Sequence, residues 1–204
     1  MSQPEANDTI REYLDIIEKE TSISDKIVTD LLDFTRIRAL DREPASVSEL
    51  ARQTLERYPV PPAVKVTLKI PKRLPQVYAD PKHVVQILGN LVTNACQAMP
   101  EGGNLSISAG ASNDDMIKIM VRDTGMGIEP EDADKIFYVF RRGKQAASRQ
   151  ISGKGVGLAS VKSIIETYSG SIWVQSRPGE GSTFRFTING RHVPALQGES
   201  TEKY

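Results

Sequence analysis

The most informative stretch of this sequence is "DTGMGI", residues 123–128, in which a carboxylate directly precedes two glycines spaced G-x-G. The segment before it, "MIKIMVRD", alternates apolar and polar residues and predicts a β-strand that ends at Asp123. An Asp before Gly at a strand end is typical of a turn, in which the carboxylate bonds its own backbone. The alternative is a ligand site, in which the glycines let a planar ligand approach while Asp123 accepts a hydrogen bond from an amino group. The spacing alone leaves both interpretations open.

Upstream of this stretch, the sequence predicts two helices and three strands. A capping box of Ser46 and Glu49 begins a helix that runs to about Tyr58. Asp80 and Pro81 occupy the cap and first-turn positions of a second helix, which "EGG" ends. Strands are indicated by three β-rich segments, "VKVTLKI" (64–70), "QVYAD" (76–80) and "NLSISAGA" (104–111).

Downstream, the pattern predicts two further helices and a strand pair. They are a short helix in "PEDADKIF" (130–137), a helix in "VGLASVKSIIETY" (156–168) that Gly170 ends, and two strands in "SIWVQSRPGEGSTFRFTI" (171–188) joined by a Pro-Gly turn. The strands pair as hairpins and there is no regular βαβ alternation. We therefore expect an α+β fold, a two-layer α/β sandwich with helices on one face of a mixed, mostly antiparallel sheet.

A long helix is predicted before this domain, from Thr9 to Leu40. Apolar residues recur at three- and four-residue spacing, and no Pro or Gly interrupts them before Pro44. At ~1.5 Å per residue such a helix would be roughly 50 Å long. Its narrow apolar stripe fits a helix packed on its own domain or a helix that packs with partner helices. We favour partner helices, because one small domain rarely covers so long a stripe.

The bulk composition excludes several classes of protein. Lys+Arg and Asp+Glu are equal at 26 each in 204 residues, so the chain has no overall charge that would attract nucleic acid or an anionic membrane. The single cysteine, Cys96, excludes an internal disulfide and a multi-cysteine zinc site, and we expect it to be a small buried residue. No apolar run approaches the ~20 residues of a membrane span, and the polar N-terminus is not a signal peptide. We expect a cytoplasmic protein, or the cytoplasmic part of a larger one, without direct membrane insertion.

A polar row is predicted on the helix that begins at Asp80. Gln86, Asn90 and Asn94 are spaced i, i+4 and i+8, so they share one face, while apolar residues occupy the opposite positions. Asparagine is a poor helix former, which favours a pocket lining, although a merely solvated face fits the same spacing. The amide oxygen of Asn is a neutral ligand suited to Mg²⁺, an ion that keeps several waters and shares substrate phosphates.

A second glycine-rich segment, "GKGVGLAS" (153–160), precedes the last predicted helix. Exposed N–H groups at a helix N-terminus bind anions, but the spacing is neither that of a Walker A loop nor a convincing Rossmann fingerprint. The loop before it is either a solvated loop or a mobile lid that carries positive charge to phosphates. Its basic residues are Arg141, Arg142, Lys144, Arg149 and Lys154.

Together these segments resemble the sensor histidine kinase catalytic domain. In chain order, its N, G1, F, G2 and G3 boxes are similar to "NLVTNA", "DTGMGI", "IFYVF", "GKGVGLAS" and "GEGSTFRF", with matching order and spacing from about Asp80 to Ile188. The wider relatives are the GHKL ATPases, but the F-box-like stretch and the upstream "DLLDFTRI" favour the kinases. The resemblance implies a Bergerat-type sandwich that binds ATP with Mg²⁺ and transfers the γ-phosphoryl group to a histidine.

The resemblance also implies roles for individual residues. Asn90 would be the Mg²⁺ ligand, and Asn94 would support the phosphates or ribose. The adenine side would be formed by Asp123, which binds the amine, with Gly125, Gly127 and Thr183 around it. The phosphate side and the lid would be formed by Lys144, Gly153, Lys154, Gly155, Val156, Gly157 and Leu158, and the lid anchors would be Phe137 and Phe140.

Three regions are implied. Residues 1–43 would be the second helix of a dimerisation and phosphotransfer hairpin, residues 44–190 the ATP-binding catalytic domain, and residues 191–204 a disordered polar tail. Kinases of this family carry the acceptor histidine on the first hairpin helix, whereas His83 and His192 lie in other contexts. We therefore expect the first hairpin helix to be absent from this chain and the phosphoryl group to go to a histidine elsewhere. A response regulator would be a further partner, and the N-terminal helix offers a route to dimerisation.

Two other functions fit the same motifs. A GHKL relative that phosphorylates protein Ser or Thr in trans would use the same boxes, but such kinases are expected to lack the long "DLLDFTR" helix. A non-catalytic module would bind a partner through that helix and use the nucleotide only as a gate or a structural ligand. The intact set of boxes counts against the module.

Overall fold

The computed structural model describes residues 10–11, 13–14, 16–18, 21, 41–112, 115–138 and 157–191. The chain divides into two compact units, residues 1–38 and residues 39–204. In the first unit, every described residue is helical, as the sequence predicts for this segment. The large apolar side chains described there, 49–61% exposed, are Ile10, Tyr13, Leu14, Ile16 and Ile17. The rest of the predicted long helix lies outside the described residues.

The second unit contains three helices and seven strands within its described residues. The helices are α1 (Val47–Arg57), α2 (Pro81–Ala98) and α3 (Gly157–Thr167). The strands are β1 (Glu43–Ala45), β2 (Val64–Lys69), β3 (Gln76–Ala79), β4 (Gly103–Ala111), β5 (Met116–Arg122), β6 (Ile172–Arg177) and β7 (Gly181–Arg191). The sequence predicts all of these elements except β1.

The described strands form one sheet in the order β1-β3-β7-β5-β4-β2, with β6 also paired to β7. The β2–β4 pair is parallel and the other described pairs are antiparallel. β7 organises the sheet, because its residues 183–189 pair with β5, residues 181–186 pair with β6, and residues 190–191 pair with β3. The predicted mixed, mostly antiparallel sheet is confirmed.

The helices cover one face of this sheet. Buried strand residues at alternating positions, such as Ile107, Ile119 and Phe186, pack with Leu88 of α2 and Ile165 of α3 in one hydrophobic core. Burial of each such side chain contributes about 1.5–3 kcal/mol relative to exposure. This layer therefore fixes the helices against the sheet and sets the position of the polar side chains between them. None of the described helices combines the length and apolar content that crossing a bilayer requires.

Local hydrogen bonds fix the start of α2 and the end of α3. Asp80 caps α2 as predicted, since its side chain accepts a 2.9 Å hydrogen bond from the Lys82 N–H. At the end of α3, the left-handed residue is Ser169 (φ 54°) and not Gly170, and the Gly170 N–H donates to the Ile165 carbonyl at 3.1 Å. Gly170 is needed for another reason, because a Cβ there would overlap the Thr187 carbonyl oxygen.

Two local predictions are wrong. Ser46 is the N-cap residue of α1, but its side chain makes no capping hydrogen bond, so the predicted capping box does not form. The segment 130–137 forms consecutive turns instead of a short helix. Its hydrogen bonds include ones between residues three apart, such as that from the Lys135 N–H to the Asp132 carbonyl at 2.9 Å. A segment this short gains too few hydrogen bonds to offset helix nucleation, so the buried Ile136 and half-buried Phe137 determine its path.

Candidate functional site

Asp123 follows the last residue of β5 and is 3% exposed. Its Oδ1 accepts hydrogen bonds from the N–H groups of Gly125, at 2.9 Å, and Ser182, at 3.2 Å. The first of these forms the local turn, one of the two interpretations that the sequence leaves open, and the second ties that turn to β7. Both of these bonds fall on Oδ1, and the N–H of Asp123 itself also acts on the carboxylate. The turn and a ligand site are therefore compatible, because neither the Gly125 bond nor the Ser182 bond uses Oδ2.

Burial raises the pKa of the Asp123 carboxyl above its ordinary value. The hydrogen bonds from the Gly125 and Ser182 N–H groups and the charge of Arg122 lower this pKa, but by less than burial raises it. A buried carboxylate of this kind gains from an additional donor, because that donor offsets the desolvation of the charge.

The loop 123–128 is clamped between α2 and the β6–β7 turn. The Met126 N–H donates to the Ala98 carbonyl at the end of α2, at 3.1 Å, and the Met126 carbonyl accepts from the Gly179 N–H at 2.7 Å. These two backbone hydrogen bonds hold the middle of the loop from opposite sides. The loop position therefore depends on α2 and on the strand pair together.

Gly125 and Gly127 are required by this clamp. A Cβ on Gly125 would press into Ala98, and a Cβ on Gly127 (φ 72°) would overlap the Arg177 carbonyl oxygen. We expected the glycines to leave room for a ligand, whereas protein backbone fills the space beside them. They shape the site by allowing the loop to lie against α2 and β6.

Two serines that the sequence analysis missed form the wall beside this loop. The Ser176 Oγ accepts from the Ile128 N–H at 2.8 Å, donates to the Gly181 carbonyl at 2.9 Å and lies 3.0 Å from the Ser182 Oγ. Ser182 could have been found from the sequence. It lies two residues before Phe184 on the same strand, so the two side chains point to the same, helix-covered face.

Thr183, which we expected near the ligand, lies on the other face of the sheet. It pairs with Arg122 on β5 and with Gln175 on β6, both exposed residues. Because neighbouring residues in a strand point to opposite faces, Thr183 and Ser182 cannot both face the helices. Ser182 is the one whose N–H reaches Asp123.

The polar row on α2 forms as the spacing predicts. Gln86, Asn90 and Asn94 are partly exposed, whereas the apolar positions between them are buried. α3 begins at Gly157 against the middle of this row, where a Cβ would lie 3.2 Å from the Asn90 Oδ1. Glycine at this position lets the start of α3 approach Asn90 without a Cβ that would crowd the amide oxygen. The next residue, Leu158, packs against the core and holds the start of α3 in place.

The N–H groups of the first turn of a helix lack intrahelical partners and attract anions. The structure therefore brings together a neutral oxygen donor, Asn90, and a helix N-terminus. Among the described residues, no group of three His, Cys, Asp or Glu side chains is placed to hold a metal ion. Any metal at this position would be held by amide oxygens, waters and ligand oxygens.

Phe137 is the one predicted lid anchor that falls within the described residues. It is half-buried, and its ring meets the edge of the Phe184 ring at 6.4 Å between centroids and 87° between planes. This ring contact attaches segment 130–137 to the core of the sheet. The other lid residues lie outside the described residues, and their roles stay predictions: Phe140, Lys144, Gly153, Lys154, Gly155 and Val156.

His83 and Cys96 pack among residues that hold the helices together. The His83 Nδ1 lies 2.9 Å from the hydroxyl of the buried Tyr168, which also accepts from the Asp80 N–H at 3.0 Å. These bonds link the start of α2 to the end of α3. Cys96 is half-buried, less than we expected, and burial raises the pKa of its thiol. His192 lies outside the described residues.

In a comparison with known protein families, residues 79–192 match the family described as histidine kinase-, DNA gyrase B- and HSP90-like ATPases. The chain is similar to the adaptive-response sensory kinase SasA of Thermosynechococcus vestitus, with 36% identity over 177 residues that cover 83% of this chain and 46% of that protein. The chain spans about a third to a half of the length of the curated relatives that it matches.

Two solved structures are similar over most of the chain. Full-length ShkA in complex with AMPPNP matches with a TM-score of 0.75 and 25% identity, covering 90% of this chain and 39% of that chain. Histidine kinase ThkA in complex with the response regulator TrrA matches with a TM-score of 0.71 and 26% identity, covering 94% of this chain and 53% of that chain. The sandwich fold is therefore that of histidine kinase catalytic domains.

Proposed function

The chain belongs to the histidine kinase-, DNA gyrase B- and HSP90-like ATPase family, and on that basis we propose that residues 44–190 form the ATP-binding catalytic domain of a two-component sensor histidine kinase. The proposed reaction transfers the γ-phosphoryl group of ATP to a histidine that is neither His83 nor His192. Residues 1–43 would supply the second helix of the hairpin that presents this histidine.

One observation supports this function most directly, namely the order of polar features along α2. The loop that carries Asp123 packs against Ala98 at the end of the helix, and Gly157 packs against Asn90. The rise from Ala98 to Asn90 is about 12 Å, with Asn94 between them. A nucleoside triphosphate laid along α2 would have its base at the Asp123 end and its phosphates at the Asn90 end.

At the base end, the proposed contact is from the exocyclic amine of adenine to the Asp123 Oδ2. A charge-assisted hydrogen bond of this type is worth about 1.5–3 kcal/mol. Gly125 and Gly127 would act through the loop that they allow. Ser182 replaces Thr183 in this proposal, because its N–H already fixes the Asp123 carboxylate.

At the phosphate end, Asn90 and the start of α3 fit an Mg²⁺–phosphate group. The amide oxygen of Asn90 is a neutral oxygen ligand beside the start of α3, and the N–H groups at Gly157 and Leu158 would bind phosphate oxygens. Mg²⁺, when bound, would neutralise charge on the phosphates. Lys144 and Lys154 would add positive charge from the lid, and Gly153, Gly155 and Val156 would form its hinge.

The contribution of this chain to phosphoryl transfer is positioning. Asp123 and the clamped loop would hold the base, α2 and α3 would orient the phosphates, and Phe137 with Phe140 would attach the lid that excludes water. The chain would leave the γ-phosphate facing outward toward the acceptor imidazole. That imidazole would be carried on the other helix of the hairpin.

The proposed partners are a histidine-bearing hairpin helix, a response regulator, and a second copy of the chain through the N-terminal helix. A response regulator complex is described for ThkA, to which this chain is similar. The exposed apolar side chains of the described N-terminal residues are compatible with helix pairing. We place the domain in the cytoplasm, where ATP is available.

The direct test supplies the acceptor separately. The chain is incubated with γ-labelled ATP and Mg²⁺, alone and with a hairpin fragment of a histidine kinase relative that carries the acceptor histidine. A matched fragment with that histidine replaced by Ala serves as control. We expect acid-labile label on the histidine fragment only.

Three results would contradict the proposal in different ways. Acid-stable label on Ser or Thr would identify a protein Ser/Thr kinase. Label on the chain itself would identify His83 or His192 as an acceptor. Absence of label with hairpin fragments from several relatives, despite ATP binding, would identify a nucleotide-gated binding module.

A further inference from the structure

On the face of the sheet opposite the helices, the charged side chains described on five of the strands are all cations. Outward-pointing positions on the described parts of β2, β4, β5, β6 and β7 include no Asp or Glu. The same positions include six cations, which we call the basic sheet face: Lys65, Lys69, Lys118, Arg122, Arg177 and Arg185. Because the chain has a net charge of zero, this segregation leaves the remainder of the chain acidic.

Strand register places the three arginines of this face near the Arg122 end of β5. Arg122 pairs with Thr183, which pairs with Gln175 on β6, and Arg185 lies one outward position along β7. A cavity of about 450 Å³ opens at this end of the sheet. Its wall includes Arg122, Arg185, Gln175 and Thr183, and also Asp123, Arg177 and Glu180.

Arg122 and Arg185 at this cavity form no ion pair with a described side chain, although the charge of Arg122 acts on the neighbouring Asp123 carboxyl. Arg177 pairs with Glu180 at 3.5 Å, and Lys118 lies 5.9 Å from the centroid of the Trp173 ring. Within the same described ranges, neither Arg122 nor Arg185 forms an ion pair. The outward side of this cavity carries the cations of Arg122 and Arg185 with the amide of Gln175 and the hydroxyl of Thr183, and this side suits a carboxylate.

A trough runs from this cavity along β4. Its floor consists of the small residues Ser106, Ser108 and Gly110, and a Cβ at Gly110 would meet nothing within 4 Å. One wall carries Lys65 and Lys69 on β2, and the other carries Lys118 and Arg122 on β5. The walls are two strand spacings, about 10 Å, apart, which is the width of one extended polypeptide.

We propose that the basic sheet face binds an extended acidic polypeptide segment of a partner protein, with carboxylates in the cavity and along both walls of the trough. A nucleic acid fits less well, because the described outward positions of β2, β4 and β5, which form the trough, include no aromatic residue for base stacking, and Trp173 lies on β6 outside the trough. An anionic membrane fits less well, because a planar array of headgroups does not enter a cavity. The cavity borders the proposed ATP site through Asp123. The cations that would bind the acidic segment lie on the opposite face of the sheet, so this binding does not require ATP.

The test measures fluorescence anisotropy of labelled poly-L-glutamate at low ionic strength, with the chain as titrant. Arg122→Gln combined with Arg185→Gln removes the two cations of the cavity. The matched control, Arg52→Gln with Lys82→Gln, removes two exposed cations from the helical face. We expect about tenfold weaker binding for the cavity variant and less than about twofold change for the control.

A second variant, Lys65→Gln with Lys69→Gln, removes the far wall of the trough without touching β5, and we expect it to weaken binding as well. Circular dichroism of each variant verifies that the fold is kept. Absence of binding by the unmodified chain, or equal weakening by the cavity variant and the control, would overturn the proposal. Tighter binding of oligothymidylate or phosphatidylserine vesicles, with the same dependence on Arg122 and Arg185, would assign the face to nucleic acid or to membrane instead.

Discussion

At the level of single side chains, Asp123 combines deep burial with a negative charge. Two N–H groups stabilise its Oδ1, yet burial still raises its pKa, so the charged form is disfavoured relative to water. A residue in this condition reduces the stability of the ligand-free domain. It is useful when a donor approaches Oδ2, and such local instability is common at binding sites.

We expect Asp123→Asn to preserve or raise the stability of the ligand-free domain at neutral pH. Asn keeps an oxygen that accepts from Gly125 and Ser182 but brings no charge to desolvate. Because folding raises the pKa of Asp123, the stabilising contribution of this carboxyl is present at low pH and is lost as the pH rises through the folded pKa. The advantage of the Asn variant should therefore grow from acid to neutral pH in urea unfolding. A variant less stable than the parent at neutral pH would show that the charge is stabilising.

ATP affinity should weaken on acidification at a pH above the ordinary titration range of aspartate. The adenine amine donates strongly only to the ionised carboxyl, and the raised pKa moves the loss of that ionised form upward. Calorimetric titrations across the acid range measure this dependence, with Asp123→Asn as the control for protonation of the nucleotide itself. A pH profile shared by both proteins would rule out Asp123 as the titrating group.

Substitutions of Asn90 and Gln86 form a matched pair that tests the proposed Mg²⁺ ligand. Both lie on the polar row of α2, but Asn90 alone faces Gly157 at the start of α3. We expect Mg²⁺ to increase ATP affinity in the parent chain and in Gln86→Ala, and to give at most a small increase in Asn90→Ala. Fluorescent-nucleotide titrations with Mg²⁺ or EDTA measure this. Equal Mg²⁺ effects in the two variants would remove Asn90 as the ligand.

Single residues differ in how far the sequence predicts them. Asp123 follows a strand and precedes two glycines, so its place is visible in the local pattern. Ser176 and Ser182 meet only because β6 and β7 pair in one particular register, which the sequence does not display. Thr183 differs from Ser182 by one position, and a one-residue shift along a strand exchanges the two faces of the sheet.

At the level of loops and strands, the clamp on loop 123–128 connects stability to binding. Gly127 has a positive φ and its missing Cβ makes room for the Arg177 carbonyl. We expect Gly127→Ala to reduce the free energy of unfolding by at least about 1 kcal/mol and to weaken ATP binding, because the loop must leave β6.

Gly110→Ala is the control for that substitution. Gly110 lies on β4 in open space without a positive φ, so Ala there should be neutral within about 0.5 kcal/mol or slightly stabilising. Urea unfolding and ATP titration of both variants provide the comparison. Equal effects at the two positions would mean that the clamp has no special importance.

Regular elements were predictable where the pattern is local. The β4–β5 and β6–β7 hairpins and the start of α2 at Asp80 follow from turn and cap residues. The helix predicted for segment 130–137 is wrong. Its acidic residues and Pro130 are typical of a helix start, but no helix forms there. Its path is instead determined by Phe137 packing on Phe184, a contact that sequence spacing does not reveal.

For the molecule as a whole, the class of fold is predictable but the strand order is not. β7 pairs with β5, β6 and β3, and β2 pairs in parallel with β4 across the intervening β3 and α2. Such pairings depend on which apolar faces pack together over long sequence separations. The overall composition does not reveal the basic sheet face, because its cations are balanced by acidic residues elsewhere in the chain.

The most direct measurement of the proposed ATP site is isothermal titration of the chain and of Asp123→Asn with ATP and Mg²⁺. We predict binding to the parent chain and affinity at least about tenfold weaker in the variant, the effect of losing one charge-assisted hydrogen bond. Unfolding measurements on the same samples establish that the variant is folded. Failure of the parent chain to bind ATP, or equal affinity in the two proteins, would contradict the proposal that Asp123 and α2 form a nucleotide site.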